Sequence, residues 1–463
     1  MKIDLAKLKG SFNAKKYLVP ALIGAEAIVI LLVVLYVAHV VGVLKVREAR
    51  KLTAEEQIAL SAFRQEVFKE RNEGLKATPY EKGEHAVSLT AASAILVDAD
   101  TGAVIYKKNA DEMIPPASMT KLVVMYIAFK EIASGRIHYD DIVPLPRECW
   151  ASSLPSDSSL MFLDKGQTVT LKELLTGLAV ASGNDAAIAI AYYISGGVEP
   201  FVARMNAEVR ALGLTVTHFV EPSGYSELNM TTAREFATFA RRYISDYPDS
   251  INLFHSCKEI YYPLKKNLPA DLAAKYGDTK AIHQTNTNPL LNRVEGVDGL
   301  KTGFIYESGY NLALTAKRGE RRYLSVTMRG AGKGSYQGQA NRVKDGTALL
   351  NLAFNQFDDY REKSDYAYTV RVLGSKSKSV RIVSSLPRLV LTIPAEYKDK
   401  IQVRARVPKY LFGENKMGAI CGELEYYCGD EVIEKVPLIL ERDTEKAGAL
   451  MQAIDRSAIR YIK

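Results

Sequence analysis

Eighteen consecutive residues without a charge, Ala27 to Leu44 (AIVILLVVLYVAHVVGVL), constrain this chain more than any other feature. As a helix they would extend about 27 Å, close to the thickness of a bilayer's hydrocarbon core. Apolar sequence reaches upstream to Leu18, interrupted by Pro20 and Glu26. Five lysines fall within the first sixteen residues, and positive charge on that flank assigns the N-terminus to the cytoplasm. Lys45, Arg47, Arg50 and Lys51 on the other flank weaken the asymmetry. No Ala-x-Ala cleavage site follows the apolar core, so an uncleaved anchor is favoured over a removed signal peptide. The reading is a cytoplasmic tail over 1–17 and a transmembrane anchor over 18–44, with the remainder in the periplasm.

Residues 45–88 read as a helical stalk and linker. Thr53-Ala54-Glu55-Glu56 is a capping box, Leu60, Phe63 and Val67 follow at helical spacing, and Gly74 is a stop. The stalk's apolar stripe needs a partner that the sequence does not name. A chain of 463 residues has room for two or three domains. Its net charge of +8 is spread evenly, with no basic run interleaved with aromatics, which sets nucleic acid aside.

From residue 89 to 363 the pattern is that of an α+β domain. Ala94–Val97 and Ala103–Tyr106 flank a turn and predict a hairpin. Helices are predicted over Ser118–Ser134, Leu171–Leu178, Asn184–Ile194, Val198–Leu212, Thr232–Ile244 and Val343–Phe354, and strands over Gly309–Ala316 and Arg322–Met328. Alternation at Tyr366, Tyr368, Val370 and Val372, and again at Ile401, Val403, Ala405 and Val407, predicts a separate β domain over 364–445. A C-terminal tail over 446–463 closes the chain, with a short amphipathic helix more suited to docking than to membrane binding.

The four cysteines have no zinc-ligand spacing. Cys421 and Cys428 share one predicted strand, about 23 Å apart, too far for a disulfide. The six histidines form no HExxH pair and no GxSxG elbow accompanies them, so no metal, cofactor or histidine mechanism is expected.

The chemistry concentrates in three short motifs: Ser118-Met119-Thr120-Lys121, Ser182-Gly183-Asn184 and Lys301-Thr302-Gly303. Each alone is weak. Stray copies stand at Ser375–Lys378 and Ser250–Asn252. Order and context give the set its force, because Ser118 opens a predicted helix, Ser182 lies between elements, and Lys301 leads into a strand. A serine hydroxyl needs a base to become nucleophilic, and Lys121 at i+3 shares its helix face. That amine must be neutral. The helix N-terminus, desolvation and the Lys301 cation all push in that direction. Two ammonium groups about 4.5 Å apart at an effective dielectric near 20 repel by roughly 3–4 kcal/mol, or two to three pK units. Ser182 is a candidate proton relay and Asn184 a candidate ligand for a substrate amide. Backbone donors of Ser118 and Phe304 are candidates for an oxyanion hole.

At these residues the chain resembles the D-alanyl-D-alanine carboxypeptidase family of low-molecular-mass penicillin-binding proteins. The likeness includes Ser159-Leu160-Met161-Phe162-Leu163, Ser182-Gly183-Asn184-Asp185-Ala186, Val297-Asp298-Gly299-Leu300-Lys301-Thr302-Gly303 and Gly309-Tyr310-Asn311-Leu312. It implies a serine β-lactamase/transpeptidase-like fold, with an antiparallel sheet and helices followed by a small all-β domain. It also implies an acyl-serine route that removes the terminal D-alanine from a peptidoglycan stem peptide ending in D-Ala-D-Ala, with β-lactams as inhibitors. Catalytic residues are then Ser118, Lys121, Ser182, Asn184 and Lys301, and substrate contacts Lys301, Thr302, Gly303, Phe304 and Arg342, the last by spacing. Ile305 and Thr287 stand where relatives carry threonine and arginine, and the N-terminal anchor replaces the C-terminal amphipathic helix of many relatives.

Three rival readings remain. In a β-lactamase, Glu221 or Glu227 would fall where class A enzymes hold a deacylating glutamate. A DD-endopeptidase shares every motif. A non-catalytic wall-binding scaffold would use the stalk and leave the motifs idle.

Overall fold

The computed structural model describes residues 14–44, 46–78, 80 and 86–462; most of the expected 1–17 tail lies outside them. Helix α1 (Ala14–Leu44) contains a 21-residue apolar span, Leu22–Gly42, long enough to cross a membrane. Helix α2 (Ala54–Asn72) begins with the expected capping box, Thr53 N donating to Glu56 and Glu56 N to Thr53 Oγ1. The chain divides into two compact units, a larger one of Glu70–Arg361 with Val390–Lys400 and a smaller one of the remaining segments.

The larger unit is a six-stranded sheet with helices. Its strands are β1 (Lys76–Ala77), β2 (Ala91–Asp98), β3 (Ala103–Lys108), β6 (Val297–Ile305), β7 (Gly309–Arg318) and β8 (Arg321–Gly330), in spatial order β1-β3-β2-β8-β7-β6. Apart from the parallel β1–β3 pair, all neighbours are antiparallel. A separate hairpin of β4 (Glu259–Tyr262) and β5 (Ile282–Thr285) was not expected. Helices α3 (Lys121–Ala133), α4 (Leu171–Val180), α5 (Asn184–Ser195), α6 (Val198–Ala211) and α7 (Ala233–Asp246) build one core with β2 and β8. One short and one long helix complete the unit, α8 (Ala270–Tyr276) and α9 (Gly334–Gln356).

The helix expected over Ser118–Ser134 divides in two: Ala117–Thr120 is a 3₁₀ turn and α3 starts at Lys121. Helix α9 begins nine residues before the expected Val343. Its first turns carry no apolar periodicity, because Gly338 lies against Tyr310, where a Cβ would come within 2.0 Å of the ring.

After β9 (Phe357–Arg361) the chain forms β10 (Ala367–Leu373) and β11 (Ser379–Ser384), then β12 (Val390–Pro394), which pairs antiparallel with β9. By its contacts Val390–Lys400 groups with the larger unit, within the 364–445 stretch that alternation reads as one β domain. The smaller unit's sheet adds β13 (Ile401–Arg406), β14 (Tyr410–Phe412), β15 (Ile420–Cys428) and β16 (Glu431–Leu440), in order β13-β15-β16-β11-β10-β14. Cys421 and Cys428 both fall in β15, and all four cysteines are free thiols.

The stalk helix has its partner in this sheet. Leu60 packs with Val383 and Ile439, joined by Phe63 and Met417, and the Phe63 ring lies against Gly418. Arg64 donates to the Leu386 carbonyl at 2.6 Å. The C-terminal helix α10 (Ala449–Ala458) is docked on α1: Asp455 Oδ1 is 2.6 Å from His39 Nε2 and Ser457 Oγ 3.0 Å from Tyr36 Oη. Leu60→Ala is expected to cost about 2–4 kcal/mol in the stability of the smaller unit, since it opens a cavity under α2. Urea unfolding of the full chain, followed by amide exchange in β11 and β16, checks this.

Candidate active site

Ser118 and Lys121 stack because of the 3₁₀ turn. Three residues per turn eclipse positions i and i+3, and Lys121 Nζ lies 2.9 Å from Ser118 Oγ. Lys121 has no exposed surface, and its other two partners are Asn184 Oδ1 at 2.8 Å and the Ser223 carbonyl at 2.5 Å. Neither of those oxygens can donate. With the amine neutral they would take its two N–H bonds and leave the lone pair for the Ser118 hydroxyl, the one partner with a proton to give.

Burial lowers the Lys121 pKa to about 7, against the opposing fields of Glu221 and Asp185. The sequence reading has Lys301 push Lys121 down. In the structure Lys301 itself gives way, held well below the usual lysine range first by its own burial, then by Lys121 and Arg342. Lys301 and Arg342 are both buried, and among the described residues neither forms an ion pair with a carboxylate. A carboxylate placed beside them would favour the charged form of both groups, so the site suits a negatively charged ligand.

Backbone packing sets the walls. Strand β6 is at the sheet edge, and Gly303 abuts the Ser118 turn; a Cβ there would be 2.5 Å from the Pro116 carbonyl and 3.2 Å from Ser118 N. Ala117 and Ser182 have φ of 49° and 59°, conformations costly for residues with a side chain and concentrated at functional sites. Asp185 fixes the second motif: it accepts from Met161 N, Leu163 N and Ala186 N, tying Ser159–Leu163 to the start of α5.

The structure therefore brings Ser118, Lys121 and Asn184 into direct contact, with Lys301 coupled to Lys121 by charge. Ser182 is buried in the turn before Asn184 but is not among Lys121's hydrogen-bond partners. Asn184, expected to face substrate, commits its oxygen to Lys121 and keeps only its amide nitrogen free for that task. Thr302 Oγ1 donates to Thr287 Oγ1 at 2.8 Å, so Thr287 adjoins the third motif. Arg342 donates to the carbonyls of Gly303 and Asn311 and lies 4.9 Å from the Tyr310 ring. Phe304 packs its ring 4.5 Å from Tyr310, at the exposed end of β6. Sequence reasoning missed the Ser223 carbonyl, a backbone atom that no side-chain motif reveals.

A Ser–Lys pair at the seam between an edge-bearing antiparallel sheet and a helical core defines a serine enzyme of the β-lactamase and transpeptidase class. Residues 80–332 match the sequence model of the family D-alanyl-D-alanine carboxypeptidase, and residues 357–446 that of the penicillin-binding protein 5 C-terminal domain. The D-alanyl-D-alanine carboxypeptidase DacF of Bacillus subtilis (strain 168) is 32% identical over 361 residues, 77% of this chain and 87% of that protein. The crystal structure of penicillin binding protein 5 from Haemophilus influenzae matches with a TM-score of 0.68 at 28% identity, covering 79% of this chain and all of that one. A D-alanyl-D-alanine endopeptidase of Pseudomonas aeruginosa is 28% identical over a shorter stretch, 55% of this chain. The chain belongs to the D-alanyl-D-alanine carboxypeptidase family.

Gly303→Ala would force β6 off the Ser118 turn, at an overpacking cost of about 1–3 kcal/mol. Peptidase activity is expected to fall at least about 100-fold, because a misplacement near 1 Å has that effect. Parallel kinetic and thermal-unfolding measurements would show activity lost well before fold.

Proposed function

We propose that this chain is a serine D-Ala-D-Ala carboxypeptidase in which Ser118 is the nucleophile and Lys121 its base. The observation that carries the reading is the 2.9 Å contact between Lys121 Nζ and Ser118 Oγ, made while the other two partners of that buried amine are both acceptors. Ser118 Oγ adds to the carbonyl carbon of the penultimate D-alanine while its proton passes to Lys121 Nζ. The backbone N–H groups of Ser118 and Phe304 receive the oxyanion, each such donor worth about a hundredfold to a thousandfold in rate. Collapse breaks the C–N bond, and the departing amine of the terminal D-alanine takes the proton that Lys121 Nζ accepted. Water then adds to the ester carbonyl as Lys121 takes its proton; collapse breaks the bond between the acyl carbon and Ser118 Oγ, and that proton passes from Lys121 to Ser118 Oγ.

The free edge of β6 suits a stem peptide laid alongside it as an added strand, held by Thr302, Gly303 and the amide nitrogen of Asn184. Arg342 supplies positive charge for the terminal carboxylate, and the arriving carboxylate would draw Lys301 back to its protonated form. Ile305 removes a hydroxyl from that end of the site, and Thr287 offers one in place of a guanidinium. β-Lactams, which place a carboxylate and a reactive carbonyl in similar relation, are expected to acylate Ser118. The β-lactamase alternative is disfavoured because both oxygens of Glu221 are already engaged. Lysines preceding α1 support an anchor with its N-terminus in the cytoplasm and the larger unit in the periplasm.

The test is incubation of wild type and Ser118→Ala with a pentapeptide ending in D-Ala-D-Ala and with a cross-linked stem dimer, products resolved by mass. Release of D-alanine from the pentapeptide by wild type alone is expected; cleavage of the dimer alone would make this an endopeptidase. A neutral Lys121 is the active form, so its fraction grows as pH rises through about 7. The acylation rate should climb about tenfold per unit below that midpoint and level above it. Stopped-flow acylation across pH checks the slope.

A further inference from the structure

The base of the proposed reaction is gripped by a turn that belongs to none of the three motifs. Between α6 and α7 the segment Glu221–Asn229 folds around a single carboxylate. Glu221 Oε2 accepts from Ser223 N at 2.7 Å and Ser223 Oγ at 2.6 Å. Oε1 accepts from Gly224 N at 2.6 Å, Asn229 Nδ2 at 3.0 Å and Ser226 N at 3.3 Å. Asn229, without exposed surface, closes the turn from its far side: Oδ1 accepts from Val220 N at 2.7 Å, and Nδ2 also reaches the Glu221 carbonyl and Thr120 Oγ1.

Two consequences of this folding reach the site. The Ser223 carbonyl points at Lys121 Nζ, 2.5 Å away. Gly224, at φ 80°, presses its backbone on the nucleophile's turn, where a Cβ would come within 1.9 Å of the Ala117 carbonyl. Five donors on two oxygens fill the lone-pair sites of a carboxylate. Glu221 therefore has no acceptor capacity left to activate water, and its place in the chemistry must be indirect.

We infer that Glu221 is a positioning residue for acyl transfer: its carboxylate folds the 221–229 turn so that the Ser223 carbonyl and Asn184 hold the N–H bonds of Lys121 and aim its lone pair at Ser118. This deepens, and rests on, the assignment of Ser118 and Lys121 above. The charge contributes alongside the shape. Lys121 faces the carboxylates of Glu221 and Asp185, which favour its charged form against the penalty of burial, while Lys301, facing Lys121 and Arg342, is the amine those cations push down. Without the Glu221 charge the amine would bind its proton less tightly and be a weaker base.

The experiment compares the full-length chain in detergent as wild type, Glu221→Gln and Glu221→Asp. It measures acylation by a fluorescent penicillin, and kcat and KM for a D-Ala-D-Ala pentapeptide, from about pH 5 to about pH 10. Glu221→Gln is expected to lower kcat about tenfold or more with KM within about twofold, and to move the acid-limb midpoint down by about half a pH unit or more. Glu221→Asp, which keeps the charge, should retain the wild-type midpoint while losing kcat. A Gln variant with wild-type midpoint and kcat within about twofold of wild type overturns the inference. Should that variant not fold by circular dichroism, Asn229→Ala decides the matter. It loosens the turn and leaves the charge, so kcat should fall about tenfold at an unchanged midpoint, and an undiminished kcat refutes the positioning role. A wild-type chain that no penicillin acylates would instead refute the assignment of Ser118, so the two failures are separable.

Discussion

Lys121 Nζ sits in a dry pocket among three oxygens, and nearly every feature of the larger unit serves to keep it there. An ammonium group in that position would be costly, since burial penalises charge far more than it penalises an amine. The 3₁₀ turn at Ala117–Thr120 eclipses the serine and the lysine, α5 delivers Asn184, and the turn after α6 delivers a backbone carbonyl. Three separate stretches of chain must agree within a few tenths of an ångström. Such agreement follows from close packing: Gly303 and Gly224 allow backbone to touch backbone where a methyl group would not fit.

Much of this was legible in the sequence because side chains of the right kind stand at the right spacing. Helices α4 to α7 follow apolar periodicity and caps, with Thr170 and Thr232 each accepting from the backbone N–H three residues on. The motif residues declare themselves by type. What escaped was encoded elsewhere. The Ser223 carbonyl is a backbone atom and leaves no mark on composition. Strand β6 extends back to Val297 through two glycines with little strand propensity, and it is held by its pairing with β7. The return of Val390–Pro394 to β9 spans about thirty residues of intervening chain, a non-local pairing that no local pattern predicts.

The comparison of Lys121 with Lys301 shows how burial and charge divide the work. Both amines are fully enclosed, yet only Lys121 has carboxylates near enough to favour its protonated form. The neighbouring anions hold it near the neutral range, as the proposed base requires, while Lys301 is displaced further. Position relative to Asp185 and Glu221, more than depth of burial, thus distinguishes two residues of one chemical type.

Helix α1 has a second duty besides any passage through lipid. Both oxygens of Asp455 are spoken for, one by His39 of that helix and the other by Gly374 N at 2.7 Å. Trimming the chain upstream of Val46 to obtain a water-soluble fragment would strip this enclosed acid of its imidazole partner and uncover the α10 surface that α1 shields. The apolar segment is in that sense a staple of the smaller unit, and a fragment prepared without it would be a different object from the protein in its bilayer.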